Sequence, residues 1–132
     1  MSDIGYALGR ALLSVIFILS GYNKLMAIAG TTAYLTRLGV PSPQVMVYVV
    51  ALVELIGGLM ILVGFKTRWV ALALFFFTAA TIYLGHKFWA VPADQYMNQL
   101  NHALKNLGIM GGFLLLAVNG AGRLSVDGRR GY

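Results

Sequence analysis

The chain has no cysteine. That excludes disulfides, thiolate nucleophiles and cysteine-ligated metal or iron–sulfur centres, and it leaves the redox compartment open. Acidic residues are scarce, four against ten lysines and arginines, and charged residues make up only 11% of the sequence. The only prolines, Pro41, Pro43 and Pro92, fall between long apolar runs rather than inside them. No phosphate-binding glycine loop, hydrolase nucleophile motif or pair of haem-ligating intramembrane histidines is present. Basic and aromatic residues do not recur together as they do in nucleic-acid binders, so no nucleic-acid partner is expected despite the net charge of +6.

What the chain has in quantity is apolar surface, at 59% of 132 residues. A soluble domain averages about half apolar and about a quarter charged, so the balance points to a lipid bilayer as the first partner. A bilayer core of about 30 Å takes roughly 20 apolar residues per helix. Four segments qualify, at about 5–27, 44–64, 68–88 and 98–119, separated by "GVPSP", "GFKTR" and "WAVPADQYMNQ". The expected fold is therefore all-α, an integral membrane four-helix bundle in one domain over 1–132. Residues 27–30, "AIAG", would suit signal-peptide cleavage after the first segment. However, Arg10, Ser14, Phe17, Gly21 and Lys24 recur at helical spacing along one face, and a disposable leader has no need of such a stripe.

Four spans put both termini on one side, together with the loop that carries Lys66 and Arg68. That side collects Arg10, Lys66, Arg68, Arg123, Arg129 and Arg130, against Lys24, Arg37, Lys87 and Lys105 on the other. The positive-inside rule then predicts cytoplasmic termini in a plasma membrane, with the 28–43 and 89–97 connections facing outward.

Glu54 is the residue that most needs explaining. It lies near the middle of "VALVELIGGLMILVG", close to the bilayer midplane, where an unpaired charge costs at least about 2.5–3.5 kcal/mol. It should be protonated or paired. Asn98, Asn101, Lys105, Gly108 and Gly112 form a second stripe on the fourth span, and Lys105 matches Glu54 in depth to within a few residues. Depth ranks Lys105 as the expected partner, then Lys24, then Arg10. The pair either staples two helices or lies in a polar cavity that binds or protonates a ligand. At the outer interface His86, Lys87, Trp89, Tyr22, Asn23 and His102 could ring one mouth. An imidazole is suited to passing protons between water and a buried group, so His86 could begin a relay to Glu54. Two histidines without a local carboxylate make no metal site, and none is expected.

"GRALLSVIFILSGYNKL" at 9–25, "VELIGGLMILVGFKTRWVAL" at 53–72, "GHKFW" at 85–89 and "LKNLGIMGGFLLLAVNGAGRLSVD" at 104–127 together resemble the DoxX family of small four-helix bacterial inner-membrane proteins. The resemblance covers nearly the whole chain. Mild departures are Ala103, where the family often has an aromatic residue, and Asn119–Gly122, where Gly-Pro-Gly is common. The family implies an inner-membrane bundle whose recurrent polar positions are matched by Arg10, Lys24, Glu54, Lys105 and Asn106. Its members serve different roles, among them a subunit of a thiosulfate:quinone oxidoreductase and assembly of a complex for oxidative-stress defence; distant relatives act as cargo receptors or assembly chaperones. The expected function is thus an accessory or quinone-interacting subunit of a membrane redox system, with no covalent cofactor and with electrons supplied by a protein partner. Glu54 and Lys105 would hold the polar head of the ligand and Asn106 would hydrogen-bond it. The alternatives are a non-enzymatic scaffold or assembly chaperone and a small transporter, the last needing a homo-oligomer.

Overall fold

The computed structural model describes residues 2–131. Ser2 starts the first helix by accepting a hydrogen bond from the Gly5 amide at 3.2 Å. Asp3 adds an acid at the positive end of the helix dipole. Helix α1 runs Asp3–Met26, α2 Ile28–Arg37, α3 Pro43–Val63, α4 Thr67–Gly85, α5 Ala93–Asn119 and α6 Val126–Arg130, with a 3-10 turn at Phe88–Ala90. Among the described residues there is no strand, and the chain is all-α as expected.

Helices α1, α3 and α4 are each long and apolar enough to cross a membrane. Helix α5, where the fourth span was expected at about 98–119, is less apolar than these three and packs along α4 to complete a helical bundle. Leu12, Leu19, Phe76, Leu115 and Val118 stand exposed on its outside. Such a surface would be a liability in water and is matched to lipid tails.

Two boundaries differ from the sequence reading. Residues 28–37, expected as part of an outward connection, form α2. Its Leu35 is buried, so this short helix has an apolar side to pack on the bundle. The last long helix starts at Ala93 rather than near 98, directly behind Pro92, where a missing N–H removes no helical hydrogen bond.

The face expected to turn inward on α1 does so: Arg10, Ser14, Phe17 and Gly21 are its buried residues. Helix α1 packs most extensively on α3, and two glycines set how closely. A Cβ on Gly21 would stand 2.6 Å from both the Ala51 oxygen and the Leu55 nitrogen, and one on Gly58 would stand 3.0 Å from the Ile18 nitrogen. Backbone cannot yield as a side-chain tip can. Gly21→Ala is therefore expected to push α1 off α3 and lower stability by about 1–3 kcal/mol, read by unfolding in mixed micelles. Where the helices meet across the bundle, Phe17 packs edge-on against Phe113 at 5.2 Å, with Ile61, Ala71, Leu74 and Leu116 around them.

The start of α1 and the segment through α6 meet at one end of the bundle, hereafter the terminal end, and are tied there. The Asp127 carboxylate accepts from the Lys66 and Thr67 amides, both at 2.8 Å, and so caps the start of α4. The Asp127 amide donates to the Gly64 oxygen at 2.9 Å, and Ser125 caps α6 through the Gly128 amide at 2.9 Å. The Arg123 amide reaches the Asp3 carboxylate at 3.2 Å. Burial pushes the Asp127 carboxyl up, but the Thr67 and Lys66 amides and the Arg10 charge outweigh it and hold the group below its ordinary value. The folded chain therefore binds this proton less tightly than the unfolded chain. The resulting stability is full above the unfolded value, about 3.9, and is lost as pH falls through the folded value. Acid unfolding of the wild type should accordingly show a step below about pH 4 that is missing from Asp127→Asn, which starts from lower stability at neutral pH.

Candidate functional site

A cavity of about 460 Å³ opens between α1, α3, α4 and α5 in the half of the bundle away from the start of α1 and from α6, with Tyr34 and Leu35 of α2 and Leu38 just after it in its wall. Most of its lining is apolar. The polar exceptions fall into three groups arranged from depth to mouth.

The deepest is an ion pair. Lys24 Nζ donates to Glu54 Oε2 at 2.8 Å and to Ser20 Oγ at 2.6 Å. The Glu54 side chain is only 8% exposed, that of Lys24 25%. The partner expected first, Lys105, is not the one found. Lys105 is exposed and does not line the cavity, whereas its neighbour Asn106 does. Successive residues on a helix point about 100° apart, so one position of difference turns a side chain from the interior to the outside. Lys24 wins because Gly21 brings the last turn of α1 onto the backbone at Ala51 and Leu55, beside Glu54. Arg10, ranked third, lies at the terminal end and donates to the Ile61 and Leu62 oxygens at 3.4 and 3.0 Å and to the Leu124 oxygen.

The second group faces the pair from α4 and α5. Asn106 Nδ2 donates to Thr81 Oγ1 at 3.2 Å, and the Thr81 and Thr78 hydroxyls donate back to their own helix, to the Thr78 and Leu74 oxygens, each at 2.7 Å. The third group is at the mouth. His86 and His102 stack with ring centres 4.9 Å apart and planes 15° from parallel. His86 Nδ1 lies 3.0 Å from Gln99 Oε1; with the amide oxygen accepting, Nδ1 carries the hydrogen and Nε2 stays available. Beyond the histidines a polar vestibule of about 540 Å³ is lined by Arg37, Lys87, Gln95 and Gln99, among others.

Of the six residues singled out from sequence, Lys24, Glu54, Asn106 and His86 line one cavity, while Arg10 and Lys105 do not. Ser20, Thr78, Thr81 and Tyr34 were missed. Thr78 and Thr81 had a readable signal, two hydroxyls three residues apart in the apolar run "LFFFTAATIYL". Ser20 sits four residues before Lys24 on the α1 stripe and was equally legible. Among the described residues no three His, Cys, Asp or Glu side chains gather as a metal site would require.

Comparison with known proteins places this geometry among relatives. The DoxX family model matches residues 5–87. The inner membrane protein YqjF of Escherichia coli (strain K12) is 41% identical over 127 residues, covering 96% of this chain and 92% of that protein. The inner membrane protein YphA of the same organism is 34% identical over 122 residues, covering 92% and 87%. CatD of Bacillus subtilis (strain 168), named as a candidate oxidoreductase, is 38% identical over 66 residues, 50% of this chain and 48% of that protein. No solved structure matches the chain.

Proposed function

This integral inner-membrane protein belongs to the DoxX family, and from that premise we propose that it serves a membrane redox system by holding a quinone-like molecule in its cavity. The observation that carries the reading is an ion pair facing a mostly apolar chamber, Lys24 to Glu54 at 2.8 Å. A volume of 460 Å³ falls in the range of about 300–1,000 Å³ usual for small-molecule sites. The name of CatD points to the same chemistry in a relative.

The residues suit a ring with carbonyl oxygens. A lysine ammonium has three donors; Ser20 and Glu54 take two, and the third is left for a carbonyl oxygen. Asn106 uses one amide hydrogen on Thr81 and keeps a second donor and its carbonyl. Such a molecule would supply two-electron, two-proton chemistry when bound. Glu54 would hold or release a proton at its carboxylate, and His86 Nε2 would exchange protons with the vestibule. Electrons would come from a protein partner. By the positive-inside rule the terminal end, with Lys66, Arg68, Arg123, Arg129 and Arg130, faces the cytoplasm and the mouth faces outward.

The test is the quinone retained by the protein in native lipid nanodiscs, relative to bulk lipid. Wild type is expected to be enriched and Glu54→Gln, near-isosteric, to lose that enrichment while staying folded. Equal, unenriched levels in two folded proteins would refute the ligand reading and leave the pair as a helix staple in a scaffold.

A further inference from the structure

The walls of the cavity are unequally closed. Helix α1 packs along α3 and α5 along α4, whereas α1 and α5 meet over only a short stretch. That stretch lies toward the terminal end, where Gly112 fits against the Leu13 side chain and Phe17 meets Phe113. One turn nearer the mouth, Gly108 is exposed and has nothing within 4 Å of where a side chain would begin. Across from α5, Ile16 lines the cavity and is also 51% exposed. One side chain thus touches both the interior and the surface that faces lipid.

We infer that the α1–α5 seam, between Ile16 and Gly108, is a lateral portal through which a membrane-dissolved ligand enters the cavity. The inference rests on the cavity reading above and narrows its ligand class. The molecule is lipid-borne, and an apolar tail longer than the cavity trails through the seam into the bilayer. The alternative route is less suited to such a ligand. At the vestibule an apolar molecule would have to displace water from Arg37, Lys87 and Gln99 without replacing its hydrogen bonds. At the seam it meets Ile16 and bare Gly108, and leaves lipid tails for apolar walls at little cost. Phe17, which lines the cavity and packs on Phe113, closes the seam below and forms the floor on which the ligand stops.

Because the chain has no cysteine, Asn106→Cys puts a single thiol on the cavity wall, and its reaction can be followed with N-(1-pyrenyl)maleimide dissolved in phosphatidylcholine nanodiscs. The thiol is expected to label from the lipid phase. Adding Gly108→Trp, at a position with room for a side chain, should slow labelling on the order of tenfold or more by obstructing access. Gly108→Ala, which changes helix propensity without filling the seam, should leave the rate unaltered, as should Lys87→Trp at the vestibule. A rate unaffected by Gly108→Trp, one lowered equally by Gly108→Ala, or one lowered instead by Lys87→Trp overturns the portal. Labelling needs no natural ligand. Labelling of Asn106→Cys through the seam, beside a wild type that retains no quinone, would therefore count against the proposed function and not against the portal.

Discussion

Lys24→Met is expected to destabilise the bundle by about 3–5 kcal/mol, because it leaves the acid at the centre of α3 without its counter-charge. Glu54 accepts from Lys24 at 2.8 Å, and its side chain is 8% exposed. No other cation is bonded to it among the described residues. Glu54→Leu is expected to cost less. Lys24 is 25% exposed, keeps Ser20 and can swing its ammonium toward the interface. The double variant Lys24→Met/Glu54→Leu removes both charges and replaces them with apolar groups of similar length. Exchanges of that kind are neutral or stabilising by about 1–4 kcal/mol, so the double variant should recover wild-type stability or exceed it. Unfolding of the four proteins in mixed micelles gives the cycle. A pair whose attraction holds the helices together would instead leave the double variant less stable than wild type.

Arg10→Met should cost about as much, roughly 3–5 kcal/mol, and for a different reason. The guanidinium is 2% exposed. It donates to the Ile61 oxygen, which also accepts from the Gly64 amide, to the Leu62 oxygen in the last turn of α3, where carbonyls run out of helical partners, and to the Leu124 oxygen in the segment before α6. Methionine fills similar volume but takes the side-chain donor from the Leu62 and Leu124 oxygens, while the Ile61 oxygen keeps the Gly64 amide, and it leaves Asp127 without the nearby charge. The loss should appear locally, as faster hydrogen exchange at the Lys66 and Thr67 amides and in residues 122–130. Arg10→Lys keeps the charge without the planar fork that reaches both helix end and tail, and should recover only part of the stability. Ligand retention per folded molecule should be unchanged in both, since Arg10 does not line the cavity. A loss of retention at full stability would contradict the separation of the tied end from the cavity.

That separation was invisible in the sequence, where Arg10 and Lys24 share one stripe. Helical spacing identified the buried face of α1 residue by residue, because an apolar helix in a bundle can bury only one side. Spacing and span length also put Glu54 near the middle of its helix, where α3 has it. They could not give the rotation of α5 about its own axis. Lys105 and Asn106 are at nearly equal depth, and only the packing of α5 in the bundle, which buries Ala103, Phe113 and Leu116, decides which of them turns inward. Helix α2 escaped for a related reason. Its ten residues include three threonines and a glycine and bury only Leu35, so no apolar stripe announces it. The ending "GAGRLSVD" was recognisable as a pattern, yet its role depends on Asp127 meeting amides some sixty residues earlier. No local reading supplies a contact of that range.

The most direct test of the central claim, that the Lys24–Glu54 pair serves a ligand rather than the fold, is quinone retention by Lys24→Met/Glu54→Leu in native lipid nanodiscs. The account predicts a protein at least as stable as wild type that holds no quinone above the level of bulk lipid. Retention equal to an enriched wild type would contradict it.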